Sequence, residues 1–361
     1  MEIGIPREVK PQEGRVGLVP QAAAELVRDG HRVYLEQGAG RAAGYPDADY
    51  ARLGVEVVPD AATLYARSRL VVKVKEPVAE DLRHLRADHL LFCYLHLAAN
   101  AELARRLCAI GLTAVAFETV QTRDGALPLL IPMSEIAGRI AGQVGATLLF
   151  RPQGGRGVLL GGVPAAERGR VTVLGAGHAG AAAAGVAAAL GAEVTVFERR
   201  HDRLAAMRAL GPNVTALHPY EDSIARAVAE SDLLIGAVLI PGARAPHLVS
   251  RAQVATMREG SVIIDISVDQ GGCIETTRPT TWERPTFVEQ GVVHFGVTNM
   301  PGAVPRTASL ALSAALLPWV RRLASDPRWA EDPALAAGIN VRDGALVHPR
   351  VRAALAAGDA C

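Results

Sequence analysis

The chain contains 361 residues, of which 50% are hydrophobic, and its 38 basic and 37 acidic side chains leave a formal net charge of +1. This length and apolar content are enough for two domains with substantial cores, and they exclude an intrinsically disordered chain. The balanced charge, without a cluster of basic residues interleaved with aromatic ones, argues against nucleic acid as a partner and favours small metabolites.

The sequence carries no pattern typical of membrane insertion, secretion or metal binding. It has no long uninterrupted apolar run, and the opening MEIGIPREVK is typical of a strand rather than a signal peptide. The cysteines at Cys93, Cys108, Cys273 and Cys361 lack the spacing of metal ligands. We therefore predict a cytoplasmic protein with reduced thiols, no metal and no membrane partner.

The first part of the chain alternates between strand-like and helix-like runs. Strand patterns occur at 2–6, 33–35, 70–75, 90–95 and 113–117, and helix patterns occur at 21–30, 61–68 and 101–111. This alternation predicts a parallel α/β sheet.

Lysine is rare in this sequence and occurs only at Lys10, Lys73 and Lys75. The last two lie two positions apart in the run LVVKVKEP, which predicts that they share one face of a strand. Because arginine stands almost everywhere else, a retained lysine is a candidate for a role that needs a compact ammonium. A solvated strand face is the alternative interpretation.

The second part of the chain repeats the α/β pattern, with strands near Val171, Val194, Leu233, Val262 and Val292. The predicted fold is therefore α/β, with two doubly wound Rossmann-like domains around a central cleft. The expected boundaries are 1–128 plus 307–361 for a substrate and catalytic domain, and 129–306 for a nucleotide-binding domain.

Two helical runs are expected at the junctions between these domains. The run SEIAGRIAGQVGATLLF is predicted to begin with Ser134 as N-cap and to place Gly138 and Gly142 on one face, where they permit close contact with another backbone. A second run at 307–323 returns to the first domain, and Pro318 is expected to kink or end it.

The most informative stretch is 171–197, VTVLGAGHAGAAAAGVAAALGAEVTVF, which combines a strand, a GxGxxG turn, a helix and a second strand. In that context Gly175 allows the tight turn, Gly177 lets a pyrophosphate approach backbone N–H groups, and Gly180 lets the helix pack against the strand. The N-terminus of the helix also offers partial positive charge to a phosphate. The stretch therefore predicts a dinucleotide-binding site.

The residues after the second strand of this unit bear on which dinucleotide binds. Glu198 is placed where a carboxylate can accept both hydroxyl groups of the adenosine ribose, which favours NAD over NADP. Arg199 and Arg200 follow directly, and an arginine there could instead receive a 2′-phosphate. We favour an exposed basic loop for these arginines, and hence NAD.

Polar residues follow several predicted strands, at the sheet edge where ligands bind in open α/β folds. They are Arg15, Lys75 and His96 in the first domain, and Glu198, Asp269 and Asn299 in the second. If the two sheets face each other across a cleft, a nicotinamide lies against Asp269 and Asn299, and the three residues of the first domain approach from the opposite wall. This arrangement predicts a hydride-transfer site. Each has a plain alternative as a loop charge, a core histidine or a turn-forming residue.

Nine motifs spread over almost the whole chain resemble those of bacterial L-alanine dehydrogenases. They are IGIPREVKPQEGRVGLVP, VVKVKEP, FCYLHLAA, PMSEIAGR, GGRGVLLGG, GAGHAG, IGAVLIPGARAP, DQGGCIETTRPTT and NMPGAVPRTAS. The resemblance implies oxidative deamination of L-alanine to pyruvate and ammonium with NAD, the reverse reductive amination, and a homohexameric assembly.

The resemblance also implies roles for particular residues. Arg15 and Lys75 would bind the carboxylate and oxo group of the substrate. His96 would be the general acid and base, and Asp269 would assist proton transfer and polarise the attacking water or ammonia. For the cofactor it implies Ser134, His178, Ala179, Glu198, Arg203, Leu239, Arg278, Asn299, Met300, Pro301 and Gly302, beside the three glycines of the turn. Ser267 and Val268, which precede Asp269, are expected near the nicotinamide as well.

The chain departs from the family pattern at three places. Glu198 stands where aspartate is common, His178 lies inside the glycine turn, and the run before Asp269 has ISVD in place of IAID. Three alternatives stay open: a paralogue for another small amino or oxo acid, the NAD-binding subunit of a transhydrogenase, and a non-catalytic NAD-binding protein. The intact set of predicted substrate residues favours amino-acid chemistry.

Overall fold

The computed structural model describes residues 1–238 and 245–358. The chain forms two compact units: unit 1 comprises Met1–Met133 and the chain from Gly302 onward, and unit 2 comprises Ser134–Pro301. Sequence analysis places the corresponding boundaries at 128/129 and 306/307. Among the described residues, no helix is both long enough and apolar enough to cross a membrane.

The strands and helices have the following bounds. The strands are β1 (Glu2–Ile5), β2 (Arg32–Glu36), β3 (Glu56–Val58), β4 (Leu70–Val72), β5 (Leu90–Cys93), β6 (Thr113–Ala116), β7 (Arg170–Leu174), β8 (Glu193–Phe197), β9 (Val214–Leu217), β10 (Leu233–Gly236), β11 (Val262–Asp265), β12 (Thr286–Glu289), β13 (Val292–Phe295), β14 (Ile339–Arg342) and β15 (Ala345–Leu346). The helices are α1 (Pro20–Arg28), α2 (Asp47–Ala51), α3 (Ala61–Arg67), α4 (Ala79–Leu82), α5 (Ala101–Ile110), α6 (Ile131–Leu148), α7 (His178–Ala189), α8 (His201–Arg208), α9 (Glu221–Glu230), α10 (Arg251–Val254), α11 (Pro305–Ser325), α12 (Pro333–Gly338) and α13 (Pro349–Gly358).

The sheet of unit 1 has the strand order β15-β14-β6-β5-β4-β1-β2-β3. Neighbouring strands from β3 to β6 are parallel, whereas β14 and β15 pair antiparallel at one edge. The inner strands β4 and β5 are buried along their whole length, as is typical of parallel sheets that are covered on both faces. The strand order reverses between β1 and β4, which is where ligands bind in such sheets.

The sheet of unit 2 has the strand order β12-β13-β11-β10-β7-β8-β9. Six neighbouring strands of this order, β13, β11, β10, β7, β8 and β9, are parallel. β12 pairs antiparallel with β13 at the edge. The order reverses between β7 and β10. Both units therefore confirm the predicted doubly wound α/β architecture.

Sequence analysis found the central strands and missed short strands at or near the sheet edges, namely β3, β9, β12, β14 and β15. It also made four strands too long, above all β4, which was expected to reach residue 75 and ends at Val72. Lys73 and Lys75 follow this end, where Lys73 is buried and Lys75 is partly exposed. The prediction that both lysines share one strand face was therefore wrong, since the alternation of a strand does not extend beyond its hydrogen-bonded residues.

One helix start was also predicted wrongly, and one expected helix end does not occur. Helix α6 begins at Ile131, so Ser134 lies within the helix instead of capping it. The helix starts earlier because Pro132, whose missing N–H is harmless in a first turn, permits it. Of the two outcomes expected at Pro318, a kink or an end of the helix, the end does not occur, because α11 continues through the proline with buried side chains on both sides of it.

Small residues let α6 and α7 pack closely in unit 2, as the sequence predicted. A Cβ atom added to Gly138 would lie 2.0 Å from the carbonyl oxygen of Ala179, and one added to Gly142 would lie 2.7 Å from the side chain of Val186. The N-terminal turn of α7 is thus fixed against another helix as well as against the sheet.

Candidate active site

The predicted substrate residues of unit 1 lie beyond the carboxyl ends of adjacent strands. Arg15 lies in the loop after β1, Lys75 follows β4, and His96 follows β5. β1 pairs with β4 across the switch point, and β4 pairs with β5. Because the carboxyl ends of parallel strands meet at one edge of a sheet, the structure brings all three residues to the same edge.

Arg15 is held in one orientation by Glu13. The guanidinium is only 2% exposed, and its Nε and Nη2 donate to the two carboxylate oxygens of Glu13 at 2.7 and 2.5 Å. Glu13 also accepts the main-chain N–H of Arg15 at 3.0 Å, and Nη1 donates to Sδ of Met133 at 3.2 Å. Burial opposes the charge of Arg15, but the hydrogen bonds to Glu13 outweigh it and raise its pKa, so the side chain stays protonated.

A buried ion cluster lies directly beside Lys75. Nζ of Lys73 is 3.2 Å from Oε2 of Glu8 and 3.4 Å from Oδ2 of Asp81, and all three side chains are at most 5% exposed. The same Glu8 carboxylate accepts the main-chain N–H groups of Val74 at 2.7 Å and Lys75 at 3.4 Å. Glu8 therefore ties the loop after β1 to the residues that follow β4.

The third lysine lies in the same region. Lys10 forms an ion pair with Glu76, the residue that follows Lys75 in sequence. All three lysines of the chain thus lie at or beside the carboxyl end of β4. The three lysines, which are rare in the sequence, are therefore also close together in the fold.

His96 combines a fixed main chain with an accessible ring. Its backbone is left-handed, with φ 50° and ψ 34°, which costs a non-glycine residue roughly 1–2 kcal/mol. Glu118 accepts the N–H of His96 at 2.6 Å, and both of its oxygens lie 3.2 Å from the N–H of Leu95. The exposed imidazole stacks on Tyr94, with ring centroids 5.8 Å apart and an interplanar angle of 11°.

Tyr94 stacks against His96 and lies near the charge of Arg15. Burial raises the pKa of the Tyr94 phenol, and the nearby charge of Arg15 opposes this rise. The hydroxyl group donates to the carbonyl oxygen of Leu129 at 2.6 Å, so the ring under His96 is fixed at its far end. Tyr94 and His96 therefore form a stacked pair at the carboxyl edge of the sheet.

In unit 2 the turn after β7 has the shape that the glycine pattern predicts. Gly175 has φ 94°, in the region that favours glycine. A Cβ atom on Gly180 would lie 1.9 Å from the carbonyl oxygen of Gly175, whereas one on Gly177 would meet nothing nearer than Nη1 of Arg203 at 3.9 Å. The helix thus packs on the turn at Gly180, and the space beside Gly177 is open.

We expect Gly180→Ala to weaken dinucleotide binding by about 10²-fold or more, because the added methyl group must push the N-terminus of α7 away from the turn. Titration calorimetry with NADH measures this change. The matched control is Gly185→Ala on the same helix, where an added Cβ has no neighbour within 4 Å. That variant should bind normally and gain up to about 1 kcal/mol of stability. Equal affinities for both variants would contradict the close-packing argument.

Glu198 joins the end of β8 to the glycine turn. Its carboxylate accepts the N–H groups of Ala176 at 3.1 Å, Arg199 at 2.7 Å and Arg200 at 3.0 Å, and Oε2 lies 3.5 Å from Nη1 of Arg203. Burial raises the pKa of Glu198, but the backbone hydrogen bonds outweigh it and lower the pKa overall. The carboxylate is therefore ionised near the turn.

Arg200 is paired with a neighbouring carboxylate. Its Nε and Nη2 donate to Asp202 at 3.1 and 2.7 Å. The pair is exposed and therefore weak. It agrees with the exposed-loop interpretation for Arg200.

Asp269 is exposed on a short 3₁₀ turn at 266–270 that follows β11, and Ser267 and Val268 are buried in the same turn. The Ser267 hydroxyl donates to the carbonyl oxygen of Val238 at 2.8 Å and accepts its N–H at 3.0 Å. Ser267 thus connects the loops after β10 and β11, both at the carboxyl edge of the sheet.

Sequence analysis overlooked Asp265, which shapes this turn. It is fully buried and accepts the N–H groups of Ser267 at 2.9 Å, Cys273 at 2.8 Å and Ile274 at 3.2 Å. Burial raises the pKa of the Cys273 thiol well above its usual value, so this thiol is not activated as a nucleophile.

Ser134, His178 and Ala179 lie in the first turns of α6 and α7. Nδ1 of the exposed His178 is 3.8 Å from Oε1 of Glu135, so a protonated ring would pair with that carboxylate. His178 is the first residue of α7 and directly follows Gly177 of the glycine turn.

The remaining cofactor candidates lie near the carboxyl end of β13 and in the adjacent loops. Asn299 has a left-handed φ of 55°, and Arg278 lies 4.2 Å above the ring of Phe287. Met300, Pro301 and Gly302 are buried in a short turn. Leu239 lies outside the described residues.

Sequence reasoning named the cations of unit 1 and missed the carboxylates that hold them. Glu8 and Glu13 lie in the loop after β1, and Glu118 follows β6. All three therefore occupy the carboxyl edge of the sheet, so the rule that selected His96 could have selected them too.

Two protein-family models together match most of the chain. The model described as "Alanine dehydrogenase/PNT, N-terminal domain" matches residues 4–137, and "Alanine dehydrogenase/PNT, C-terminal domain" matches residues 141–349. The alanine dehydrogenase of Halomonas elongata is 48% identical over 357 residues, which cover 97% of this chain and 96% of that protein. The alanine dehydrogenase of Mycobacterium tuberculosis is 46% identical over 360 residues, with coverage of 97% and 96%.

Solved structures agree with this assignment. An L-alanine dehydrogenase superimposes with a TM-score of 0.95 at 51% identity and covers 99% of both chains. A transhydrogenase from Sinorhizobium meliloti superimposes with a TM-score of 0.83 at 26% identity, covering 97% of this chain and 99% of that one. The chain therefore belongs to the alanine dehydrogenase/PNT family.

Proposed function

We propose that this protein catalyses the NAD-dependent oxidative deamination of L-alanine to pyruvate and ammonium, together with the reverse reductive amination. The observation that carries the proposal is the grouping of Arg15, Lys75 and His96 at one edge of the unit 1 sheet. These are the positions to which the family resemblance assigns substrate binding and proton transfer. The full-length similarity to alanine dehydrogenases, higher than that to the transhydrogenase, supports the same substrate.

NAD is the proposed cofactor, and the turn after β7 fits its pyrophosphate. The space beside Gly177 is open, the N-terminus of α7 follows directly, and the ionised Glu198 lies at the end of β8, where a ribose is held in such folds. When bound, NAD supplies the nicotinamide that takes up hydride from the substrate. The proposed binding residues are Ser134, Gly175, Gly177, His178, Ala179, Gly180, Glu198, Arg203, Leu239, Ser267, Val268, Arg278, Asn299, Met300, Pro301 and Gly302.

Arg15 and Lys75 are the proposed substrate-binding residues. The guanidinium of Arg15, kept in place by Glu13, makes charge-assisted hydrogen bonds to the substrate carboxylate. The compact ammonium of Lys75 binds the oxo group and polarises it. Both cations would favour a short 2-oxo acid over an uncharged carbonyl compound.

His96 and Asp269 are the proposed proton-transfer residues. The imidazole of His96 is exposed and can take up or release the proton of the substrate hydroxyl as water adds or leaves. Positive charge develops on the substrate nitrogen as hydride leaves Cα, and the Asp269 carboxylate stabilises that charge.

We expect Lys75→Arg to lower kcat/KM for pyruvate by about 10²-fold, because the broad guanidinium displaces the oxo group from its reactive position. Initial rates over a range of pyruvate concentrations test this. Lys10→Arg is the matched control, since it keeps the positive charge beside Glu76 and should retain parental rates. Near-parental efficiency of Lys75→Arg would remove the specific role of the ammonium.

The decisive experiment on the function follows NADH absorbance with pyruvate and ammonium, in parallel with 2-oxobutyrate, glyoxylate and NADPH. Fast oxidation of NADH with pyruvate is the expected result. Turnover only with another oxo acid would indicate a paralogue with a different pocket. No turnover with any of them would favour the transhydrogenase-like or the non-catalytic alternative.

We also propose that the chain assembles as a homohexamer, which the family resemblance supports. Sedimentation equilibrium of the purified protein tests this assembly, and a mass of one or two chains would contradict it. The individual chain has a mass of 37.9 kDa, so the candidate assemblies are well separated in mass.

A further inference from the structure

The three proposed substrate and proton-transfer residues of unit 1 share a feature that the family resemblance did not supply. Each has its own main-chain N–H bound by a glutamate. Glu13 accepts the N–H of Arg15 at 3.0 Å, Glu8 that of Lys75 at 3.4 Å, and Glu118 that of His96 at 2.6 Å. These contacts are not local turns in two of the three cases, since Glu8 is 67 residues and Glu118 is 22 residues away from its partner.

The contact at His96 is the shortest of the three and holds the most unusual backbone. His96 is left-handed, a conformation that persists in a non-glycine residue only where the surroundings enforce it. Both oxygens of Glu118 also face the N–H of Leu95, so one carboxylate binds two consecutive N–H groups. An ionised oxygen is the strongest common acceptor for such groups.

Glu118 contacts the main chain of His96 rather than its ring. Glu118 lies in the short 3₁₀ turn that follows β6, and β6 pairs with β5 in parallel register up to Cys93 and Ala116. The carboxylate therefore bridges the ends of two adjacent strands. The imidazole, exposed and stacked on Tyr94, stays available to a substrate.

We propose that Glu118 is a positioning residue for proton transfer: its carboxylate fixes the left-handed backbone of His96 and thereby aims the imidazole at the substrate. This inference rests on the proposed function, because it assumes that His96 is the acid and base. Loss of the carboxylate releases the two N–H groups, the backbone relaxes toward a right-handed or extended conformation, and the ring is displaced. A displacement of about 1 Å is enough to lower a rate by about 10²-fold.

The test compares Glu118→Gln with the parental full-length protein. Glutamine keeps the size of the side chain but removes the charge and turns an N–H₂ group toward one of the two amides. We expect kcat to fall by at least about tenfold while KM for pyruvate changes by less than about threefold, since Arg15 and Lys75 are held by other glutamates. We further expect the solvent deuterium isotope effect on kcat to increase, because proton transfer becomes more rate-limiting.

Hydrogen exchange of the protein without cofactor supplies a readout that does not depend on activity. The amides of Leu95 and His96 should exchange faster in Glu118→Gln than in the parent, with little change elsewhere in unit 1. Glu118→Asp, which keeps the charge on a shorter side chain, should recover part of both the protection and the rate. Thermal unfolding of each variant identifies any that fail to fold, and the aspartate variant then carries the test.

Asp332→Asn is the matched control. Asp332 also accepts two main-chain N–H groups, from Ala334 at 2.8 Å and Leu335 at 3.1 Å, but these begin α12 and belong to no proposed site. This variant should keep the parental kcat and isotope effect. Faster exchange at His96 with unchanged kcat and isotope effect in Glu118→Gln would overturn the proposal, and so would unchanged exchange. A parent without activity toward any oxo acid would instead refute the proposed function, whatever the exchange shows.

Discussion

Replacing His96 by alanine is expected to lower kcat for reductive amination of pyruvate by about 10²- to 10⁴-fold, the range typical of losing a general acid or base. The dissociation constant for NADH should stay near its parental value, because His96 belongs to unit 1 and the glycine turn to unit 2. Steady-state rates measure the first quantity and fluorescence titration of NADH the second.

The control for this prediction is His31→Ala. His31 precedes β2, at the amino edge of the same sheet, where its ring nitrogens lie 3.2 Å from the N-terminal amine and 3.0 Å from Oγ of Ser325. Its loss should leave both kcat and NADH affinity unchanged. Comparable turnover in the two variants would remove His96 from the acid and base role, and weaker NADH binding in His96→Ala would show that the ring has another task.

The second large effect is expected from Lys73→Met, which should lower the free energy of unfolding by about 3–5 kcal/mol. The substitution keeps the length of the side chain but leaves Glu8 and Asp81 buried without their cation. Chemical denaturation at pH 7 measures the loss. Activity should fall as well, because Glu8 positions the backbone of Lys75.

The difference in stability between the parent and Lys73→Met depends on pH, because the pKa values of Lys73 and Glu8 are both shifted. Burial opposes the charge of Lys73, but Glu8 and Asp81 outweigh it and raise the pKa of Lys73. The contribution of Lys73 to the free energy of unfolding is therefore fully present below its ordinary pKa, and it is lost only as alkaline pH passes the raised value. Burial raises the pKa of Glu8, with Lys73 opposing the rise, so removal of the lysine favours protonated Glu8. The stability difference should therefore narrow in acid, where Glu8 becomes neutral.

Lys10→Met provides the comparison for the same chemical change at a more exposed pair. The side chain of Lys10 is 31% exposed, so its ion pair with Glu76 should contribute only about 0–1 kcal/mol. Similar losses of stability in the two variants would contradict the view that the Lys73 cluster is a buried structural unit. A stability difference that widens in acid would contradict the assignment of Glu8 as the group that titrates.

The sequence predicted those parts of the fold that depend on local pattern. The strands β4, β5 and β7 are buried apolar runs bounded by polar residues, and the glycine turn requires particular residue types at fixed spacing. Edge strands such as β3 and β12 were missed, because a strand with one exposed side carries a weaker pattern. The start of α6 was missed because Ser134 resembles an N-cap, while Pro132 allows the helix to begin earlier.

The sequence also selected the candidate site residues. The carboxyl ends of parallel strands are where such folds bind ligands, which selected Arg15, Lys75 and His96. The rarity of lysine independently selected Lys75. Both arguments need only the order of residues along the chain. They identify which side chains reach the sheet edge, but not what surrounds them.

By itself, then, the sequence determined the α/β class, the dinucleotide turn and the cations at the sheet edge, because each is encoded in residues that are close together along the chain. Only the tertiary structure decided which carboxylate holds which cation. Lys73 and Glu8 are 65 residues apart, and His96 and Glu118 are 22 apart, so no local pattern relates them. They meet because the parallel crossovers of a doubly wound sheet return every strand to the same edge, and that edge is set by packing of the whole unit.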